Sequence, residues 1–143
     1  MTKLMAEIEK ILIERFGNDN IIALATTVDN KPYVRSVDSF FYENGSFYVL
    51  THGLSNKMKQ IHQNPCVAIA GDWFTANGQG INLGYFGDKE NKKIANKMMV
   101  IFSKWINNAH NNFEDKNTCI LQIELTDGVL FSQGTRYDID FTK

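Results

Sequence analysis

Apolar residues recur at Leu4, Ile8, Ile11, Leu12 and Phe16, with Glu7, Glu9, Lys10 and Glu14 between them. This helical period predicts an amphipathic first helix over 2–16, stopped by Gly17. The period then shortens. Ile21 to Thr27 is a nearly unbroken apolar run too short for a helix, and Asp29-Asn30-Lys31-Pro32 is turn chemistry. In Tyr33 to Tyr42 the residues Val34, Ser36, Asp38 and Phe40 alternate with Arg35, Val37, Ser39 and Phe41, which predicts a return strand. Arg35 and Asp38 are charges inside that strand and require an explanation.

The stretch Phe47 to Ala70 packs the most local signal into the shortest length. Asn44-Gly45 supplies the positive φ angles of a tight hairpin, and Phe47 to Thr51 is aromatic and β-branched enough for a strand. Gly53 then frees the backbone, Ser55 stands at an N-cap position, Asn56 to Gln63 is a short helical run, and Pro65 stops it. The first N–H groups of such a helix lack internal partners and carry the positive end of its dipole, so they suit an anion. Thr51 and Ser55 add hydroxyls and Lys57 a point charge. Met58 and Ile61 are expected to face the core, with Lys57 and Gln60 turned outward. The plainer alternative is a capping serine and a solvated lysine.

Further along, Cys66 to Phe74 predicts a buried strand, Thr75-Ala76-Asn77-Gly78 a turn, and Gln79 to Phe86 its antiparallel partner. Gly80 and Gly84 in that partner suggest close approach of another chain or a ligand. Asp88 is expected to cap a long helix whose apolar stripe is Ile94, Met98, Ile101, Phe102 and Trp105, opposite a solvated face of Lys89, Lys92, Lys93 and Lys97. A polar connector, 107–117, leads to a strand over 118–125 that continues through Asp127-Gly128 into 129–131. A tail strand over 135–141 follows. Summed, about six or seven antiparallel strands and three helices predict a mainly β (α+β) fold, a small barrel or sandwich decorated by helices.

Composition narrows the function. With 143 residues, 43% of them hydrophobic, the chain is long enough for one domain with a proper core. A net charge of −1 argues against a nucleic-acid scaffold or a membrane-surface protein. No signal-peptide core or membrane-length apolar run is present, so a cytoplasmic protein is expected. Cys66 and Cys119 lie in separate apolar segments and are expected to be buried, reduced thiols. His52, His62 and His110 are scattered, with no partner at metal-ligand spacing, so no metal site is expected. His52 follows Thr51 and is either a phosphate neighbour or a plain surface histidine. Trp73, Phe74, Phe86 and Trp105 are expected to be mostly core.

The ordered set Arg35-Ser36-Val37-Asp38, Phe47-Tyr48-Val49-Leu50-Thr51, Ser55-Asn56-Lys57, Gln63-Asn64-Pro65 and Trp73 with Gln79 resembles the split-barrel proteins that bind flavin mononucleotide (FMN). This is the superfamily of pyridoxamine 5′-phosphate oxidase, and the chain looks most like its small general stress protein branch. The resemblance covers nearly everything from Ile21 to Phe131. It implies a split β-barrel binding FMN through Arg35, Ser36, Val37, Asp38, Leu50, Thr51, Ser55, Asn56, Lys57 and Gln79. It also implies a homodimer with two flavin sites at the subunit interface.

A guanidinium at Arg35 would suit phosphate oxygens, while a salt bridge to Asp38 or another carboxylate is the alternative. The oxidases carry arginine where this chain has Asn56 and lysine where it has Phe40, so this site is less cationic than theirs. Only Arg136 loosely matches their substrate-binding basic residues, which argues against pyridoxamine 5′-phosphate oxidase activity itself. The function implied is a flavin-dependent oxidoreductase acting on an unknown small substrate with a small-molecule electron donor or acceptor. The alternatives are a non-catalytic flavin-binding stress-response protein, or the same fold holding haem or a deazaflavin. No general acid or base is named, because a flavin performs the electron transfer itself.

Overall fold

A computed structural model describes residues 2–104, 106 and 113–143, and among these, seven strands follow one another, with one α-helix ahead of the first strand, one after the third and one after the fifth. Trp105, His110 and residues 107–112 of the predicted connector lie outside the described residues. The strands are β1 Asn20–Val28, β2 Lys31–Glu43, β3 Ser46–His52, β4 Cys66–Gly71, β5 Phe74–Tyr85, β6 Thr118–Ser132 and β7 Thr135–Asp140. Their order in the sheet is β3-β2-β1-β4-β5-β6-β7, and β3 also pairs with β6. That extra pairing closes the first six strands into an antiparallel barrel and leaves β7 as an additional strand on β6. The predicted mainly β class and the barrel are both present.

Local chemistry sets the hairpins. Asp29 and Asn30 take φ of 52° and 63°, and Asn44 and Gly45 take 48° and 78°, the left-handed pairs that join twisted strands through two residues. In β2 the register against β1 slips, because Phe40 faces Asn20 while Val37 faces Ile22. The extra residue is accommodated where Ser39 adopts φ 69°. Side-chain parity therefore flips along β2: Val37 and Phe40 both point into the barrel, and Phe41 points to the opposite face.

The predicted turn at 75–78 is not one. β4 and β5 turn at Asp72-Trp73, and Asn77-Gly78 lies inside β5 at a register shift against β6. A Cβ on Gly78 would stand 2.6 Å from the carbonyl oxygen of Glu124, so glycine serves strand contact there. Trp73, expected in the core, is 70% exposed at φ 52°, with its ring edge-on to Phe131. A Cβ on Gly80 would stand 2.8 Å from Ile61 Cγ2 of α2, so within this chain the glycine serves the close packing of that helix. Asp127-Gly128 lies within the single long strand β6.

Helix α1, Lys3–Phe16, is capped by the Thr2 hydroxyl, which accepts the Met5 N–H at 3.1 Å, and it closes at Gly17. Ile8, Leu12 and Phe16 are buried as expected, whereas Leu4 is 56% exposed. Helix α2 is Asn56–Gln63, as predicted, with Met58 and Ile61 buried. Asp88 caps only one 3-10 turn, Lys89–Asn91, ahead of α3 at Lys92–Ile101. Of the predicted stripe, Met98 and Phe102 are buried, joined by Ala95 and Ile106, while Ile94 and Ile101 pack at the margin. Lys97 leaves the solvated face to pair with Glu43.

Two cores result. The barrel interior takes residues from β1 to β7, α1 and α2. A second cluster joins α3 to Phe41, Leu50, Phe86 and Ile120 on the opposite side of the sheet. The two plugging helices meet different strand ends: a Cβ on Gly71 would reach Phe16 of α1, while one on Gly80 would reach Ile61 of α2. Phe47 joins the interior, with its ring centroid 5.7 Å from Phe16, 5.9 Å from Phe40 and 5.5 Å from Tyr42. Truncating Phe47 to alanine is expected to lower the unfolding free energy by about 3–5 kcal/mol in a denaturant titration, as a buried phenylalanine lost to a cavity.

Candidate functional site

Strand β3 ends at His52, and the backbone turns into α2 with the Ser55 N–H donating to the His52 carbonyl at 3.1 Å. Ser55 occupies the N-cap position with extended backbone, φ −65° and ψ 159°, yet its hydroxyl accepts no helix N–H. The Ser55 Oγ is buried and has no hydrogen-bond partner, and the same is true of the Thr51 Oγ1 at the end of β3. A buried hydroxyl left unpaired costs about 1–3 kcal/mol. One of the two lies at the end of β3 and the other at the N-cap of α2, on either side of one short turn, where the leading N–H groups of α2 lack helical partners.

Lys57 and Gln60, expected to face outward, instead lean toward the sheet. Gln60 Oε1 accepts from the Thr26 hydroxyl at 2.6 Å and from Arg35 Nη2. Arg35 Nη1 donates to the Thr26 hydroxyl at 2.9 Å and to the Leu24 carbonyl at 3.3 Å. Lys57 stands one turn before Gln60 and within Coulombic reach of Arg35 and Asp38. Burial pushes the Lys57 ammonium below the usual lysine range, and the Arg35 charge pushes it the same way against a smaller pull from Asp38. Burial also lowers Arg35. Among the described residues, neither Arg35 nor Lys57 has an ion-pair partner, so the expected alternative of an Arg35–Asp38 salt bridge does not form.

The residues implied by the resemblance divide between two faces of the sheet. Val37 is buried in the barrel core, and Arg35 is half-buried on that side at the α2 end. Thr51 is buried at the end of β3. Asn56 is exposed in the first turn of α2, and Leu50 packs under α3. Ser36, Asp38 and Gln79 belong to the outer face. Across that face, Ser36, Ala23, Ala70 and Thr75 form one row and Val34, Ala25, Ala68 and Asn77 the next. Small uncharged side chains dominate this surface, and Val34 is 73% exposed on it. Gln79 directs its Nε2 to Cys66 Sγ at 3.6 Å. Cys66 is exposed, not buried as expected, because its parity in β4 points it outward; Cys119 is buried, and both are free thiols.

His52 is engaged locally. Its Nδ1 accepts the Leu54 N–H at 3.2 Å, and its Nε2 lies 3.3 Å from the Asp115 carboxylate. The Asn117 N–H, then His52, hold Asp115 below the usual carboxylate range. Among the described residues no group of three potential metal ligands occurs, and no helix is long and apolar enough to cross a membrane. An open groove of about 380 Å³ on the other side of α2 is lined by Gly53, Met58, Lys59, His62, Gln63 and Asn82, none of them a predicted site residue.

Sequence reasoning missed Thr26 and Gln60. Gln60 lies three residues after Lys57, on the same helix face, and Thr26 is a polar residue in a strand that otherwise alternates into the core. Each was a signal that something on that side needed a polar partner.

No family model matches the sequence, and no curated protein matches it. Solved structures share its fold. One is a protein related to general stress protein 26, of the pyridoxinephosphate oxidase family, from Clostridium acetobutylicum, with a TM-score of 0.61 at 11% identity over 98% of this chain and 96% of that one. A second is an FAD-binding protein from Mesorhizobium loti, with a TM-score of 0.65 at 16% identity over 90% of this chain and 92% of that one. A third is a heme-binding protein from Mycobacterium smegmatis, with a TM-score of 0.61 at 11% identity over 87% of this chain and 54% of that one. The chain therefore has the split-barrel fold found among pyridoxamine 5′-phosphate oxidase-like, flavin-binding and heme-binding proteins.

The depressed Lys57 makes a signed prediction for the ligand-free protein. Its charge opposes folding at neutral pH, and that penalty fades as pH rises from its folded pKa toward the unfolded lysine range. Lys57→Met is expected to unfold at higher denaturant than the parent at pH 7, with the gap closing at strongly alkaline pH. Matched urea titrations across pH would show it.

Proposed function

We propose that the chain is a cytoplasmic FMN-binding protein that works as a homodimer and as a flavin-dependent oxidoreductase on a small substrate. The observation that carries this reading is the pair of buried, unpartnered hydroxyls of Thr51 and Ser55 at the start of α2, with the Lys57 ammonium in its first turn. A phosphate monoester fits that set. It accepts from both hydroxyls and from the leading N–H groups of α2, and it neutralises a cation that burial disfavours. The flavin-binding fold relative supports the same class of cofactor.

The alanine rows on the outer face of β2-β1-β4-β5 support a second copy of the chain as cover, since small side chains let two sheets or a planar ring approach closely. Ser36, Asp38 and Gln79 on that face would meet the ring, while Lys57, Asn56, Ser55 and Thr51 hold the phosphate end. Arg35 adds a second positive charge behind Lys57. When bound, the flavin supplies hydride or electron transfer, and the protein binds, orients and tunes it.

Purification without added cofactor, a visible spectrum, and mass identification of any chromophore released on heating test the reading. Released FMN is the expected result. Haem instead, as the heme-binding relative would suggest, or a colourless protein that ignores added FMN, overturns it. Photoreduction followed by an acceptor screen separates an enzyme from a flavin reservoir, because only an enzyme has a donor or acceptor that accelerates a half-reaction. Lys57→Ala is expected to weaken FMN binding by about 1.5–3 kcal/mol, the scale of a charge-assisted hydrogen bond, as measured by flavin fluorescence quenching.

A further inference from the structure

The Arg35 guanidinium is already committed within the protein. Nη1 is shared between the Leu24 carbonyl and the Thr26 hydroxyl, and Nη2 reaches Gln60 Oε1. The Thr26 hydroxyl, only 2% exposed as a residue, passes its own proton toward the same Gln60 oxygen at 2.6 Å. The three side chains form a closed triangle joining β1, β2 and α2. A guanidinium has five N–H donors in a rigid fork, and this arrangement engages both terminal nitrogens before any ligand arrives.

We infer that Arg35 is a positioning residue that clamps α2 to the sheet through Gln60 and Thr26, while the direct cationic contact to an anion at the start of α2 is Lys57. Gln60 lies in the second turn of α2, about one turn beyond Lys57, so its oxygen fixes both the rotation and the depth of the helix. Removing either end of the clamp leaves a buried partner unsatisfied and lets the helix start drift. For ligand affinity this inference rests on the reading of that helix start as a phosphate cradle; for helix docking it does not.

The experiment is a double-mutant cycle of Arg35→Ala and Gln60→Ala with two readouts: amide hydrogen exchange of α2 in the ligand-free protein, and the FMN dissociation constant. Each single variant is expected to lose roughly tenfold in protection at α2 amides, including Asn64, whose N–H donates to the Gln60 carbonyl. The double variant is expected to lose no more than either single one. FMN affinity should fall about 3- to 10-fold in each single variant, again without adding in the double.

Two conservative changes keep the test sharp if the alanine variants fold poorly. Gln60→Glu retains the accepting oxygens and should retain exchange protection. Arg35→Lys keeps the charge without the fork and should lose it. Lys57→Ala should leave α2 protection in place. Unchanged protection in Gln60→Ala and Arg35→Lys overturns the clamp. So does an affinity loss from Arg35→Ala that adds fully to that of Gln60→Ala, since Arg35 would then act on the ligand itself. If the parent binds no FMN while the exchange pattern holds, the cofactor reading fails and the clamp stands.

Discussion

Pairing of β3 with β6 is the constraint on which the rest of the molecule depends. It runs from Ser46 against Glu124 to His52 against Thr118 and turns an open sheet into a closed barrel. Closure removes two exposed edges and creates an interior that side chains must fill. Phe16 of α1 and Ile61 of α2 then meet opposite strand ends, which close approach at Gly71 and Gly80 makes possible. Because α2 follows β3 after a three-residue turn, closing the barrel also decides where the helix begins. The position of the α2 start is thus a consequence of barrel closure and of a short connection.

That position is electrostatically unfavourable without a counter-charge. Burial disfavours both the Lys57 and the Arg35 charge, Arg35 disfavours the Lys57 ammonium further, Asp38 compensates Lys57 only in part, and the hydroxyls of Thr51 and Ser55 have no partner. A chain optimised for stability alone would replace such groups with apolar ones. Inside an otherwise well-packed barrel, these groups depart locally from what packing alone would select. On the part of the outer sheet face that α3 does not cover, the alanine rows, with Val34 standing out, form a smooth surface of small side chains.

Much of the fold was legible locally. The helical period of α1, the Asp29-Asn30 and Asn44-Gly45 turns, and the strand-to-helix sequence around Ser55 each depend on a few neighbouring residues, and each stands where the sequence places it. The errors share a cause. Asn77-Gly78 carries turn chemistry, yet β6 runs long enough to pair across it, so the glycine serves backbone contact with Glu124. Trp73 looked like core by its size, but the true turn falls on it and drives it outward. Cys66 followed the parity of its strand and not its hydrophobicity.

For the site, the sequence by itself determined the residue types and their order: a strand ending in Thr51, a serine at a helix start, a lysine in the first turn and an arginine on an earlier strand. It could not determine which way those side chains point. The sign of Gln60, outward or inward, depends on whether a polar strand residue waits opposite, and Thr26 does so only because β1 lies under α2 in the closed barrel. Likewise, the flip of parity at Ser39 sorts β2 residues between the core and the outer face through one bulge. Periodicity is a property of the local backbone and so can be read from the chain. Register, closure and partnership join residues far apart in sequence, and only the tertiary structure decides them.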